Sequence, residues 1–169
     1  LEQLSYNPQV IADWTGKEFE NYGAYSSHCN GLAFDPTKAY APPVYANGTS
    51  YPNVSFTAAP ANGDGFNPDG KEVSLAGRFY YVYQNPKKLP ALDWTYTASG
   101  VVDKATPFYQ DCTLSISPSN DAKKLFERFE LKNSTADIQQ KYANWYAYYR
   151  TRRLLMRTAA GKAFSSVKD

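Results

Sequence analysis

The chain has 169 residues, with 18 Lys and Arg against 16 Asp and Glu and a net charge of +2, and its pI lies near 8.4. That length suits one domain that buries a real core without needing a metal or a disulfide to fold. The mild charge argues against a polyanion-binding domain, which shows clustered Lys and Arg and a pI above about 9, and no apolar run approaches the roughly 18 to 20 residues of a membrane span.

The opening, LEQLSYNPQVIADW, has neither an initiator Met nor a signal peptide and reads as a mature form or an excised internal segment. Fifteen Tyr, nine Phe and three Trp stand against one Met and one His. Such enrichment in amphipathic aromatics is commoner in extracellular surfaces and binding proteins than in cytosolic enzymes. Cys29 and Cys112 are far apart and in no zinc-type spacing. The choice lies between two buried thiols and one disulfide, and the disulfide is favoured. It would close a loop of about 80 residues, worth about 4 to 5 kcal/mol in the chain-entropy model, and it implies an oxidising compartment.

From residue 6 to about residue 120 the chain is turn-rich and Tyr-rich, with almost no helical periodicity. The stretch PTKAYAPPVYANGTSYPNVSFTAAPANGDGFNPDG, from Pro36 to Gly70, holds six prolines; it is expected to be ordered loop with only short strands. Asn-Gly at Asn47 and Asn62 and Asp-Gly at Asp64 and Asp69 mark tight turns. GRFYYVYQN, from Gly77 to Asn85, is the clearest strand; DWTYTASG at Asp93 and DCTLSIS at Asp111 are lesser candidates. SNDAKKLFERFEL, from Ser119, reads as a short helix or helical turn running into a strand, with Leu125, Phe126 and Phe129 on one side.

After Ser134 or Thr135, either of which can cap a helix, no proline interrupts the chain, and one long helix is expected from about Ala136 to Ser166. Gly161 is a weak point in it or a point of close packing. On a wheel of about 100° per residue, Tyr142, Trp145, Tyr149, Met156, Ala159, Ala160, Ala163 and Val167 form a core stripe. Arg150, Arg153 and Arg157 fall together beside it. Arg152 lands within the apolar face, where a carboxylate or carbonyls must receive its guanidinium. Aromatics and arginines occupy different faces, so a half-buried helix with a solvated basic edge is preferred to a nucleic-acid grip or a membrane-surface helix. The fold class is therefore α+β: a loop-rich, Tyr-rich region with a few short strands over residues 1–133, then a long helix over residues 134–169.

Three blocks, CNGLAFDPTKAYAPPV at Cys29, RFYYVY at Arg78 and YANWYAYYRTRRLLMRTAAGKAF at Tyr142, with PFYQDC between the last two, come in an order that resembles the N-terminal region of the type IV pilus tip adhesin and biogenesis family of the PilY/PilC type. The resemblance implies that the Tyr-rich region is an insertion before a helix similar to the first helix of a von Willebrand factor A domain. It implies a non-enzymatic segment of a surface factor serving pilus biogenesis, adhesion and twitching motility. The implied partners are other pilus tip components such as minor pilins, and host or surface ligands. The implied location is extracellular, at the pilus tip or outer membrane, reached through the periplasm. The Asp-x-Ser-x-Ser metal-adhesion motif of such A domains does not occur in this sequence.

No cofactor is expected. Asn62, Asp64, Asn67 and Asp69 are oxygen ligands of the kind Ca²⁺ takes, but the loop NGDGFNPDG does not keep an EF-type register and simple turns are preferred. His28 is the only histidine and has no nucleophile elbow for company, which excludes a hydrolytic triad. Scattered carboxylates give no support for a glycosidase pair, so no enzyme is expected. The alternative function is an extracellular carbohydrate-binding module, with Trp14, Tyr45, Tyr51 and Trp94 stacking on sugar rings.

Overall fold

A computed structural model describes residues 25–28, 30–84 and 126–165. The described elements run in the order β1 (Ala59–Pro60), β2 (Glu72–Val73), β3 (Phe79–Tyr83), β4 (Phe126–Glu130), a 3-10 turn (Leu131–Asn133), α1 (Ala136–Tyr148) and α2 (Arg152–Phe164). β1 pairs antiparallel with β2 and β3 with β4, giving two small sheets. The class is α+β, with long ordered loops carrying most of residues 30–76.

The β3 strand forms where expected, because its β-branched and aromatic residues suit a pleated surface packed on both sides. Tyr80 faces the main core: its ring stacks on Phe129 of β4 at 5.4 Å and meets Phe34 edge-on at 5.1 Å. Tyr81 and Tyr83 point the other way, toward Tyr25 and toward the stacked His28 ring at 4.3 Å. The pairing Tyr80↔Phe129 and Tyr83↔Phe126 puts Phe126 and Phe129 on opposite faces. The expected grouping of those two on one helical side is thus corrected: residues three apart share a helix face but not a strand face. The strand candidates at Asp93 and Asp111 lie outside the described residues.

Turn chemistry follows the Asx-Gly pairs. Gly48, Gly63 and Gly70 take φ of 81°, 63° and 77°, the left-handed region that glycine enters without a Cβ penalty. Gly65 serves a different purpose, since a Cβ there would lie 2.5 Å from the Tyr148 ring.

The expected single helix is two helices. Thr135 caps α1, accepting from Ile138 N at 3.4 Å, and α1 ends at Tyr148. Residues 149–151 then leave helical geometry: Thr151 is extended at φ −116°, ψ 154° and caps α2 through Leu154 N. The wheel drawn across this break loses its phase, which corrects the stripe. Tyr142 and Trp145 are buried, but Met156 is 72 % exposed, and Ala159, Ala160 and Ala163 are exposed with it. Leu154 and Thr158 face inward instead. Arg152 lies on the exposed side of α2 rather than within an apolar face.

Tyr142 through Tyr148 are all buried, the mark of a helix enclosed on every side. All but the polar Asn144 join Phe34, Val54, Ala59, Leu75, Tyr80 and Leu131 in one apolar cluster, so the core draws on residues from both sides of Asn133. Leu75 and Leu131 have no exposed surface. Truncating Leu75 to Ala should cost about 2–5 kcal/mol, the range for a buried Leu that leaves a cavity. Urea unfolding should show a lower midpoint at an unchanged slope.

Candidate interaction surface

The surface where the 40–70 loops meet the α1–α2 junction gathers most of the residues singled out from the sequence. It is built from the polar tips of α1 and of Tyr149 at its C-cap. Trp145 Nε1 donates to Leu32 O at 3.0 Å, Tyr148 Oη to Pro52 O at 3.0 Å, Tyr146 Oη to Ala61 O at 3.5 Å, and Tyr149 Oη to Ala41 O at short range. Asn144 adds a double contact: its Oδ1 accepts from Val54 N at 3.0 Å and its Nδ2 donates to Asn53 Oδ1 at 2.9 Å. Gln140 Nε2 reaches Val54 O at 3.0 Å. One helix and its C-cap thus fix four loop segments, at Leu32, Ala41, 52–54 and Ala61, that have almost no ladder bonds of their own.

The 62–67 turn is a knot of side-chain-to-backbone bonds. Asn62 Oδ1 accepts from Asp64 N, while Asp64 Oδ1 accepts from Phe66 N and Asn67 N. Asp69 Oδ1 accepts from Lys71 N in a separate small turn. The other Asp64 oxygen receives Arg153 Nη2 at 2.7 Å and lies 4.0 Å from Arg157 Nη1. With the Asn67 amide oriented as its surroundings require, its oxygen accepts from Arg157 at 3.0 Å. Among the described residues, no group of three or more His, Cys, Asp or Glu is placed to hold a metal ion. In this arrangement the Asp64 carboxylate faces guanidinium and amide donors.

Arg150 was grouped by the wheel on a solvated edge, but it is only 6 % exposed. Its guanidinium lies 4.3 Å over the Tyr146 ring and donates to Asn62 O at 3.0 Å. The fit is close enough that a Cβ on Gly63 would fall 1.9 Å from Arg150 Nη2. Arg150, Arg153 and Arg157 do converge, as expected, and they do so on the 62–67 turn, with Arg153 and Arg157 still exposed and Arg150 buried. Arg157 also covers the Phe66 ring at 4.1 Å.

Of the four candidate stacking aromatics, Tyr45 and Tyr51 come together, with rings 3.7 Å apart and 16° from parallel. Tyr51 is half-buried, edge-on to Phe66 at 5.2 Å and Tyr148 at 6.0 Å, so Tyr45, 43 % exposed, is the outer ring of the pair. Trp14 and Trp94 lie outside the described residues, as do Cys29 and Cys112. Sequence reasoning missed Arg150, Asn144 and Gly65 as packing residues. The signal it could have used is the polar Asn144 set among buried aromatics, which must find partners.

No family model matches the chain, and no solved structure matches it. Among curated proteins it is similar to the type IV pilus biogenesis factor PilY1 of Pseudomonas aeruginosa strain PAO1, 27 % identical over 174 residues that cover 98 % of this chain and 13 % of that protein. PilY1 of strain PAK is 32 % identical over 155 residues, covering 85 % of this chain and 12 % of that protein. The two matches support kinship with PilY1 along most of the chain. The chain spans about an eighth of the length of these relatives.

The surface carries a pH signature. Burial pushes the phenol of Tyr148 up to about 12, helped by neighbouring Tyr45 and Tyr51, and burial likewise raises Tyr40 to about 12. Folding therefore favours the neutral phenols over an unfolded value of about 10. Their contribution is complete below pH about 10 and is lost as pH rises toward about 12. Stability measured by urea unfolding should fall across that window, and Tyr148→Phe should make the fall shallower. Ultraviolet titration of tyrosinate should show the late-ionising phenols.

Proposed function

We propose that this chain is a scaffold and interaction segment of a type IV pilus biogenesis factor, working by presenting surfaces to other pilus components rather than by catalysis. The observation that carries this reading is where the resembling blocks meet. Phe34, from the block at Cys29, packs against Tyr80 of the aromatic strand at 5.1 Å and against Tyr142 and Trp145 of the helical block at 5.0 and 5.8 Å. The three blocks are far apart in sequence, and one ring gathers them. In this chain the three blocks thus meet one packing requirement, and the similarity to PilY1 extends along nearly the whole chain.

On this reading the protein acts outside the cell, at the pilus or the outer membrane, and the loops around Tyr45 and the 62–67 turn are its contact surface. Among the described residues, no helix is long and apolar enough to cross a membrane. The finer expectations, a helix like the first of a von Willebrand A domain and a role in adhesion or twitching, belong to the same proposal. The sugar-binding alternative calls for several exposed rings on one flat face. The described tyrosines instead go mostly into the core, with Tyr45 the exposed exception.

The experiment places Phe34→Asp in the full-length protein of its own organism. A charged group at a site 2 % exposed cannot stay ionised there without unravelling the packing. Surface pili, counted by shear preparation and electron microscopy, should fall several-fold. Normal piliation with Phe34→Asp would refute a role for this segment in pilus assembly.

A further inference from the structure

The apolar pattern of the sequence and the observed path of the chain disagree at one place. On an unbroken helix, Tyr142, Trp145, Tyr149, Met156, Ala159, Ala160 and Ala163 would form one stripe. In the structure the stripe is cut: its first part is buried, while Met156 and the three alanines are exposed. The one local signal at the cut is Thr151, whose side chain caps α2 through Leu154 N at 3.2 Å. Tyr149, Arg150 and Thr151 include neither Gly nor Pro, the usual residues at sharp helix breaks.

The break is held from outside. In a continuous helix, Ala147 O would accept from the N–H of residue 151 and Tyr148 O from that of residue 152. Here Gly65 N donates to Ala147 O at 3.0 Å and Thr158 Oγ1 donates to Tyr148 O at 2.7 Å. Arg150 is fastened to Asn62 O at 3.0 Å and Arg153 to Asp64 at 2.7 Å. The contact between Thr158 and Tyr148 also shows that α2 folds back on α1, since residues ten apart on one helix are separated by about 15 Å of rise.

We propose that the α1–α2 break is a latch held by the 62–67 turn, and that the chain has a second state in which residues 136–164 form one helix. The two states exchange backbone hydrogen bonds nearly one for one, so the arginine contacts to the turn, with the Thr151 cap and the burial of Leu154, decide between them. Joining the helices withdraws Arg150, Arg153 and Arg157 from Asn62 and Asp64 and makes the apolar stripe continuous. A ligand that takes either side of these contacts shifts the population toward the joined helix, by as much as it prefers that state.

The test is a distance measurement by pulsed electron resonance in the full-length protein. Spin labels are carried by unnatural amino acids at positions 141 and 163, so that Cys29 and Cys112 are left alone. A joined helix places these Cα atoms about 33 Å apart, at 1.5 Å per residue; the folded-back pair lies closer. The unsubstituted chain should give mainly the short distance. Asp64→Asn, which weakens the hold on Arg153 and Arg157, should move at least a quarter of the population to about 33 Å. Should that variant fail to fold, the isosteric Thr158→Val, which strips Tyr148 O of its donor, supplies the same reading. A single short distance in the folded variant, with unchanged helicity by circular dichroism, overturns the latch.

Discussion

A region built almost entirely of loops can be buried only if something other than a ladder satisfies its backbone. Buried carbonyls and amides without partners cost about 1–3 kcal/mol each, and here β1 and β2 are two residues long. The side chains of α1 and of Tyr149 at its C-cap meet this demand. Trp145, Tyr146, Tyr148 and Tyr149 each insert an apolar body into the core and present a donor to a loop carbonyl. Asn144 and Gln140 hold the backbone of Val54 from both its N–H and its C=O. The helix does for residues 32–61 what a neighbouring strand does in a sheet.

That dependence explains the form of the junction with α2. A helix that must spend its last turn on the loops has to end where the loops can reach it, and Gly65 is the residue that allows the approach. Its N–H takes Ala147 O at 3.0 Å, and any side chain there would strike Tyr148. Gly63 makes room in the same way for the Arg150 guanidinium. The Asx bonds of Asn62 and Asp64 give this turn a fixed shape, so the arginines meet a prepared surface rather than a mobile loop. Asp64 is buried while Arg153 is largely exposed. The pair therefore matters more for satisfying the carboxylate than for the Coulomb attraction of a surface bridge.

What could be read from the sequence was what rests on neighbouring residues. The β3 strand, the Thr135 cap and the positive φ at Gly48, Gly63 and Gly70 all follow from local chemistry, and all are present. The break at residues 149–151 was not legible from the Thr151 cap alone, because Gly65, Thr158 and Asn62, which hold it, lie 10 to 88 residues from the groups they bind or act through backbone atoms. Met156 was misplaced for that reason alone: its phase was reckoned from Tyr142 across a break. The opposite facing of Phe126 and Phe129 has a similar origin, since a short run of two aromatics fits either period until its strand partner is known. The surface around Tyr45 was only partly legible, because composition gives the number of tyrosines and not the side of the core on which each lies.

The abundance of tyrosine over phenylalanine acquires a different meaning in this light. An excess of amphipathic rings suggests an outward-facing binding surface when read as composition. Yet Tyr142, Tyr146 and Tyr148 are at most 2 % exposed, and the hydroxyls of Tyr146 and Tyr148 reach backbone carbonyls. Phenylalanine would fill the same space and leave those carbonyls without donors. Tyrosine is thus the residue that lets a core be apolar in bulk and polar at its margin, where it meets loops instead of strands. Long, irregular loops packed on a helix need such a core, and among the described residues the tyrosines of α1 are chiefly the means of anchoring them.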